Sequence, residues 1–281
     1  METLALDRSR PFRSHLAVVK RHAAAHARRA AINSSTIALG EGLALALALL
    51  AAGFLRQIWA GEAQMSVGAG WAVIPLYLAG AALWRLLPGW GLGAVEEFRR
   101  QTLTLVCAFV GTALATWLAG SGSPVDASRL TLGLAGVFAL VLVPLARGKA
   151  KAILIDRDAW GVPAVIYGAG EAGSRIVRRL QEERGMGYQP VAVFDEDADR
   201  WGDYLDTVPI VGDVEQIAPE AAVAFLALPE ARRERQAQLL EGPLALYPTV
   251  VVVPELLDAP SLSVRPRDIS GILGLEIAAS L

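Results

Sequence analysis

Four long apolar segments in the first half of the chain constrain its fold more than any other feature. Each approaches the roughly 20 residues that an α-helix needs to cross a hydrocarbon core about 30 Å thick. Lipid offers no partner to backbone polar groups, so the segments predict a four-helix transmembrane bundle within residues 30–147. The first segment is too long for a cleaved signal peptide. The four segments are residues 31–55, 69–86, 102–120 and 129–146.

Positive charges predict how these segments are oriented. Seven lysines and arginines precede the first segment, whereas the loop after it contains only Arg56. Arg99 and Arg100 follow the second segment, and Arg129 alone follows the third. Arg147, Lys149 and Lys151 follow the fourth. Cytosolic loops are enriched in lysine and arginine, so both termini are expected in the cytosol.

Residues 1–29 form a basic cytosolic segment before the first apolar run. Its stretch 14–29 is open to two interpretations, a basic helix on anionic lipid or a partly ordered tail. The three histidines of the chain lie here, without the carboxylate or thiolate partners of a metal site. The single cysteine, Cys107, lies in an apolar run, so neither a disulfide framework nor a thiolate metal site is expected.

Glu41 is the one carboxylate well inside an apolar segment. An ionisable group at membrane depth is costly, and it normally faces neighbouring helices or serves a function. We expect a structural pairing, through Ser34, Ser35 or a neighbouring helix. A role in ion or lipid handling is the alternative.

The composition changes near Gly148, so residues 148–281 are predicted to form a cytosolic domain. A strand predicted at 162–168 leads into the sequence Gly-Ala-Gly-Glu-Ala-Gly and then a helical pattern. This order of strand, glycine turn and helix is typical of nucleotide-binding folds. The first glycine permits the turn, the second lets amides approach a phosphate, and the third allows close helix packing. The free N–H groups of the helix N-terminus would attract the anion. These positions are Gly168, Gly170, Glu171 and Gly173.

A second strand is predicted at 190–195 and ends at Asp195, where an acidic residue commonly accepts hydrogen bonds from a ribose. The alternation of strands and helices predicts a Rossmann-like doubly wound parallel sheet. Asp195 therefore completes the predicted nucleotide site. A module that keeps this fold for packing or regulation, without a ligand, is the alternative. Further strands are predicted at 207–211, 221–227 and 248–253, and helices at 214–218 and 229–241.

The cytosolic domain lacks the usual groups for proton transfer. It contains no histidine and no cysteine, and no lysine follows Lys151. A short-chain dehydrogenase or dehydratase pairs a tyrosine with a lysine, and Tyr188 and Tyr204 have no such partner. Acid–base chemistry would fall to carboxylates alone. No catalytic residue and no metal ligand is therefore predicted, and the Asp195–Asp197 turn is interpreted as solvated rather than metal-binding.

Several segments together resemble one family. A basic N-terminus and four apolar runs precede VIYGAGEAGSRIVRRL, GYQPVAVFDED, VPIVGD and RDISGILGLEI. This pattern resembles the N-terminal half of the large polyprenyl-phosphate sugar-1-phosphate transferases, the undecaprenyl-phosphate galactose phosphotransferase-like bacterial sugar transferases. The resemblance covers essentially the whole chain, and residues 268–276 are its most specific part.

The resemblance implies a multi-pass protein of the bacterial inner membrane that anchors and regulates a transferase initiating polysaccharide synthesis. In that family a magnesium-dependent catalytic region moves a sugar phosphate from a nucleotide sugar to a lipid phosphate. No position here matches that region, so we expect it to be absent from this chain. The expected partners are the lipid bilayer and a second copy in a homodimer, without nucleic acid. UDP or a UDP-sugar is the expected ligand, ahead of NAD.

Two other functions stay open from the sequence. A membrane-tethered nucleotide-sugar oxidoreductase or dehydratase fragment would use the same fold, but the missing lysine and histidine argue against it. A nucleotide-gated transport protein would use the apolar segments. The absence of a filter motif, and of charged residues well inside the segments other than Glu41, argues against transport.

Overall fold

The computed structural model describes residues 10–60, 68–118, 125–228, 233–253, 263–269 and 272–278. The chain divides into two compact units. The helical unit contains the first half of the chain up to Ala164, together with Arg179–Val191 and Pro219–Ala222. The sheet unit contains Val165–Arg178, Ala192–Ala218 and the chain from Val223 onwards.

Four α-helices form most of the helical unit. Three contain stretches long and apolar enough to cross a membrane: His26–Trp59, Ala94–Leu118 and Leu130–Asp156. The second apolar run instead forms the shorter helical stretch Gly70–Leu83, which at 1.5 Å per residue spans only about 21 Å. The prediction of four spanning helices is therefore not confirmed. The helices are α1 (Arg10–Ala60), α2 (Val73–Leu83), α3 (Ala94–Leu118) and α4 (Val125–Asp156).

Small residues form the contact between α1 and α4. Ala44, Ala48 and Ala52 recur every fourth residue on α1 and are buried, as are Ala135 and Ala139 on α4. This spacing keeps them on one face of each helix and lets the backbones approach closely. Leu45 and Leu49 are buried beside them, whereas many other large apolar side chains point outwards. These are Leu39, Leu43 and Leu47 on α1, Val106 and Val110 on α3, and Val137 and Val141 on α4. This distribution suits a lipid environment.

Six strands form one mixed sheet in the order β3-β4-β2-β1-β5-β6. The pairs β2–β4 and β5–β6 are parallel, and β3–β4 is antiparallel. The helix α5 (Glu171–Glu182) follows β1, and α6 (Arg233–Glu241) lies between β5 and β6. The predicted combination of apolar helices with a parallel α/β sheet is confirmed. The strands are β1 (Val162–Tyr167), β2 (Tyr188–Phe194), β3 (Tyr204–Leu205), β4 (Val208–Gly212), β5 (Val223–Leu226) and β6 (Thr249–Val252).

Two parts of the sequence-based prediction differ from the structure. The helix predicted at 214–218 is wrong, because these residues form a turn in which Gln216 N donates to Asp213 O. Pro219 follows directly, and a proline disfavours helical geometry in the residue before it. The structure also has an antiparallel hairpin that was not predicted, formed by β7 (Ser263–Ile269) and β8 (Ile272–Ala278).

Candidate functional site

The glycine turn after β1 has the close backbone approaches that its glycines were predicted to allow. Gly168 has a φ of +111°, and a Cβ added there would lie 2.7 Å from the carbonyl oxygen of Ala227. A Cβ on Gly173 would collide with the carbonyl oxygen of Gly168. By contrast, a Cβ on Gly170 would meet no atom of the described residues within 4 Å. Gly168 and Gly173 therefore serve packing, and Gly170 leaves an open approach to the turn.

Asp195 lies against this turn, as predicted, but its carboxylate is already engaged. Oδ2 accepts a hydrogen bond from the Ala169 amide at 2.5 Å, and Oδ1 accepts one from the Asp197 amide at 2.9 Å. A carboxylate has about four acceptor positions, so about two are left for another donor. Asp195 thus fixes the turn and also places a negative charge beside it.

Arg200 brings a positive charge to the same turn. Its Nη1 donates to the carbonyl oxygen of Ala169 at 3.0 Å, and its Nε lies 3.6 Å from Asp197 Oδ2. Sequence reasoning missed this residue, because its place depends on the 3₁₀ turn Ala198–Arg200, which folds the chain back towards Ala169. The open side of the turn therefore has both a carboxylate and a guanidinium.

Glu171 stands at the edge of the predicted site. Its side chain is 86% exposed, and its carboxylate lies 3.6 Å from Arg175 Nη1, one helical turn further along α5. The first turn of α5 also offers N–H groups that have no partner within the helix. The structure therefore brings Gly168, Gly170, Gly173 and Asp195 together and leaves Glu171 facing solvent.

Asp206 also contacts α5, and sequence reasoning missed this residue too. Its carboxylate accepts hydrogen bonds from Ser174 Oγ and from Arg178 Nε, both at 2.8 Å. The bonds from Arg178 and Ser174 lower the pKa of Asp206 below its ordinary value. Ser174 and Arg178 are four residues apart, so they lie on one face of α5. Asp206 therefore fixes the rotation of the helix that follows the glycine turn.

A second group of polar side chains surrounds Glu41 in the helical unit. Glu41 is fully buried, and its Oε1 accepts hydrogen bonds from Gln101 Nε2 at 2.8 Å and from Arg147 Nη1 at 2.9 Å. Gln101 lies on α3 and Arg147 on α4, so the predicted pairing with a neighbouring helix is confirmed. The serines are not the partners, since Ser35 donates to the carbonyl oxygen of Ala31 instead.

Two further charges complete this group. Glu97 forms ion pairs with Arg147 and with Lys151, whose Nζ lies 2.6 Å from the carboxylate. Lys151 Nζ also donates to the carbonyl oxygen of Gly185 at 3.1 Å and lies 5.0 Å from the centre of the Trp160 ring. Glu41, Glu97, Arg147 and Lys151 therefore form a buried charge cluster with no net charge.

The sequence contained a signal for this buried charge cluster. Glu97 and Gln101 are four residues apart on α3, and Arg147 and Lys151 are four apart on α4, so each pair lies on one helix face. Within the described part of the chain, no group of three or more His, Cys, Asp or Glu side chains could hold a metal ion. The side chains of His15 and His22 lie outside that part.

Comparison with known proteins identifies the family. Residues 91–235, more than half of the chain, match the sequence model of the CoA_binding_3 family, described as a CoA-binding domain. The chain belongs to this family. The match includes the glycine turn, Asp195 and Arg200.

Two curated relatives are sugar-lipid transferases. The undecaprenyl-phosphate galactose phosphotransferase of Salmonella typhimurium is 34% identical over 80 residues, which is 28% of this chain and 16% of the relative. The UDP-galactose-lipid carrier transferase of Erwinia amylovora is 25% identical over 122 residues, 43% of this chain and 24% of the relative. The chain thus matches no more than about a quarter of either relative's length. The predicted resemblance to the polyprenyl-phosphate sugar phosphotransferases is confirmed, and with its apolar helices the chain is a membrane protein.

Two solved structures give weak likenesses. UDP-D-quinovosamine 4-dehydrogenase from Vibrio fischeri matches with 24% identity and a TM-score of 0.31, covering 35% of this chain and 82% of that chain. RSP, a Rex-family repressor, matches with 16% identity and a TM-score of 0.33, covering 58% of this chain and 80% of that chain. At these TM-scores neither likeness bears on function.

Proposed function

We propose that this chain is the membrane-anchoring and regulatory portion of a polyprenyl-phosphate sugar-1-phosphate transferase that initiates bacterial polysaccharide synthesis. The match to two transferases named for undecaprenyl phosphate and for a lipid carrier supports this most directly. Three helices of spanning length would hold the chain in the membrane that contains such a lipid.

The regulatory role would lie in the glycine turn, with UDP or a UDP-sugar as ligand. The open approach at Gly170, the unpaired N–H groups at the start of α5 and the guanidinium of Arg200 all favour a phosphate there. The remaining acceptor positions of Asp195 suit ribose hydroxyls. The proposal assigns no catalytic step to these residues.

A phosphate at this turn would compete with Asp195. The Ala169 amide can donate to the Asp195 carboxylate or to a ligand oxygen, and the two anions repel each other. Asp195 is in turn linked to Trp201, whose Nε1 donates to the Asp195 carbonyl oxygen at 2.9 Å. Ligand binding would therefore shift residues 195–201, which offers a physical route from nucleotide level to transferase activity.

The link to transferase activity can be tested in membranes of the native host. Cells lacking the coding sequence are complemented with the wild type, with Gly170→Ala or with Gly185→Ala. Gly185 is also open to a Cβ, so it is a matched control distant from the turn in sequence. We expect loss of sugar phosphate transfer from UDP-galactose to endogenous lipid in the deletion and an altered UDP-sugar dependence only in Gly170→Ala. Equal transfer with and without the gene would contradict the proposal.

The proposal includes an inner-membrane location with both termini in the cytosol, which the distribution of lysine and arginine supports. Ala198 is exposed beside the glycine turn, so a cysteine label at this position shows on which side of the membrane the turn lies. The variant is Ala198→Cys in a Cys107→Ala background, which removes the native cysteine. An impermeant maleimide should label it only after the membrane of spheroplasts is opened. Labelling in closed spheroplasts would overturn this orientation.

We also propose a homodimer. The outward-facing apolar side chains of α1, α3 and α4 can pack against a second copy as well as against lipid. The mass of the chain in lipid nanodiscs, measured at decreasing protein concentration, should correspond to two copies. A single copy at every concentration would contradict the dimer.

A further inference from the structure

A cavity of about 420 Å³, open to the surface, lies where α2 ends and α3 begins. Three arginines line it, Arg85, Arg99 and Arg100, with one carboxylate, Glu96. Glu96 Oε1 accepts a hydrogen bond from Arg100 Nε at 2.7 Å, and its Oε2 lies 3.5 Å from Arg99 Nη1. One carboxylate cannot balance three guanidinium groups, so this arginine cavity favours an anion.

Arg85 is the cation most available for a ligand. It follows the C-terminus of α2 with a φ of +53°, and it is exposed. The contacts described for residues 68–118 give Arg85 no hydrogen bond or ion pair. Arg100, in contrast, is held by Glu96 and by the carbonyl oxygen of Trp84 at 3.2 Å. Arg85 and Arg99 can therefore turn towards a bound anion without breaking the contact between α2 and α3.

An apolar groove of about 170 Å³ lies next to the arginine cavity, between α2 and α3. Leu83 and Trp84 line both, so the two spaces are neighbours on either side of these side chains. Gly80 shapes the groove, since an added Cβ there would lie 2.8 Å from Thr104 Cγ2. Leu83 is 81% exposed on the outer surface of the helical unit. A cavity rich in arginine thus lies beside an apolar groove, on a surface that suits lipid.

We infer that the arginine cavity and the apolar groove bind one membrane lipid with an anionic phosphate head group. Arginine presents paired N–H donors to phosphate oxygens, and the groove accommodates part of a hydrocarbon chain. A free phosphate would leave the groove unfilled, and a lipid without net charge would leave the arginines uncompensated. The inference goes beyond the proposed function and depends on α2 and α3 alone.

The test uses Cys107, which is the only cysteine and lines the groove. The full chain, labelled at Cys107 with a small fluorophore, is placed in phosphatidylcholine vesicles. A small fraction of the lipid is brominated phosphatidic acid, phosphatidylglycerol or phosphatidylcholine. Bromine quenches the fluorophore on contact, so stronger quenching by the two anionic lipids is the expected result. Equal quenching by all three lipids would overturn the inference.

Two double variants test whether the preference for anionic lipids depends on the arginine cavity or on general surface charge. Arg85→Gln with Arg99→Gln should lower the preference for the anionic lipids about tenfold or more, since a direct hydrogen bond between charged partners contributes about tenfold. Lys149→Gln with Arg157→Gln removes the same charge from exposed positions outside the cavity and should leave the preference unchanged. An equal loss in both double variants would show only surface attraction and would overturn the site.

A measurement on the protein without a fluorophore avoids any disturbance of the groove by the label. Native mass spectrometry of the full chain should show one retained phosphatidic acid in the wild type and fewer in Arg85→Gln with Arg99→Gln. Millimolar inorganic phosphate should not displace it. Displacement by inorganic phosphate, or equal retention of lipids with different head groups, would contradict a lipid site.

Discussion

The buried charge cluster and the glycine turn both place carboxylates beside cations, yet they differ in what their charges can do. In the cluster, Glu41 and Arg147 are almost completely buried, and the two carboxylates face the two cations. At the turn, Asp195 and Arg200 lie beside Gly170, where the approach is open. A buried group whose charges balance holds helices together, whereas a half-satisfied, open group can exchange a partner for a ligand.

The largest expected effect comes from breaking the buried cluster. Arg147→Met would leave Glu41 and Glu97 without their shared cation, and removing one partner of a buried pair costs about 3–5 kcal/mol. The free energy of unfolding of the full chain in detergent measures this. Arg179→Gln, which breaks an exposed pair with Glu182, is the control and should cost under about 1 kcal/mol. Similar losses in both variants would remove the distinction between the two regions.

The next effect separates the glycines of the turn. Gly173→Ala forces a methyl group against the Gly168 carbonyl oxygen, and such overpacking costs about 1–3 kcal/mol. Gly170→Ala meets open space, so its free energy of unfolding should stay within about 1 kcal/mol of the wild type. The melting temperatures of the two variants provide the comparison. A Gly170→Ala that is the less stable of the two would refute the assigned roles.

The smallest effect concerns pH. Hydrogen bonds from Arg178 and Ser174 hold the pKa of Asp206 below its ordinary value of 3.8. Folding thus favours the carboxylate, and its contribution is present above about pH 4 and lost as the pH falls through the folded pKa. Asp206→Asn keeps a residue that tolerates the φ of +55° and removes the charge. The variant should melt below the wild type at neutral pH, and the gap should narrow as the pH falls below about 4.

The elements that sequence reasoning predicted well are those with a strong local signal. Gly168 and Gly173 were placed because strand, turn and helix follow one another directly, and Asp195 because an acidic residue at the end of the second strand commonly contacts a ribose. Asp206 and Arg200 were missed, since their positions depend on how later turns fold back onto α5 and Ala169. No local pattern contains that information.

Sequence-based prediction was limited in the helical unit as well. Hydrophobicity found the apolar runs, but the length of α2 depends on where the chain turns at Trp84 and Arg85. Glu41 was singled out by its cost in a membrane, whereas Arg147 was assigned to the loop after the last run. Its role appears only once α4 continues to Asp156 and packs along α1.

Calorimetry of the full chain in nanodiscs with UDP-galactose tests the central proposal, a phosphate-binding glycine turn, most directly. The wild type and Gly185→Ala should bind. Gly170→Ala should bind about tenfold more weakly, because its methyl group obstructs the approach of the phosphate to the turn, and one hydrogen bond to a charged phosphate contributes about 1.5 kcal/mol. UDP should compete, while NAD and CoA should bind less tightly. An absence of binding in the wild type, or equal affinity in Gly170→Ala, would contradict the account.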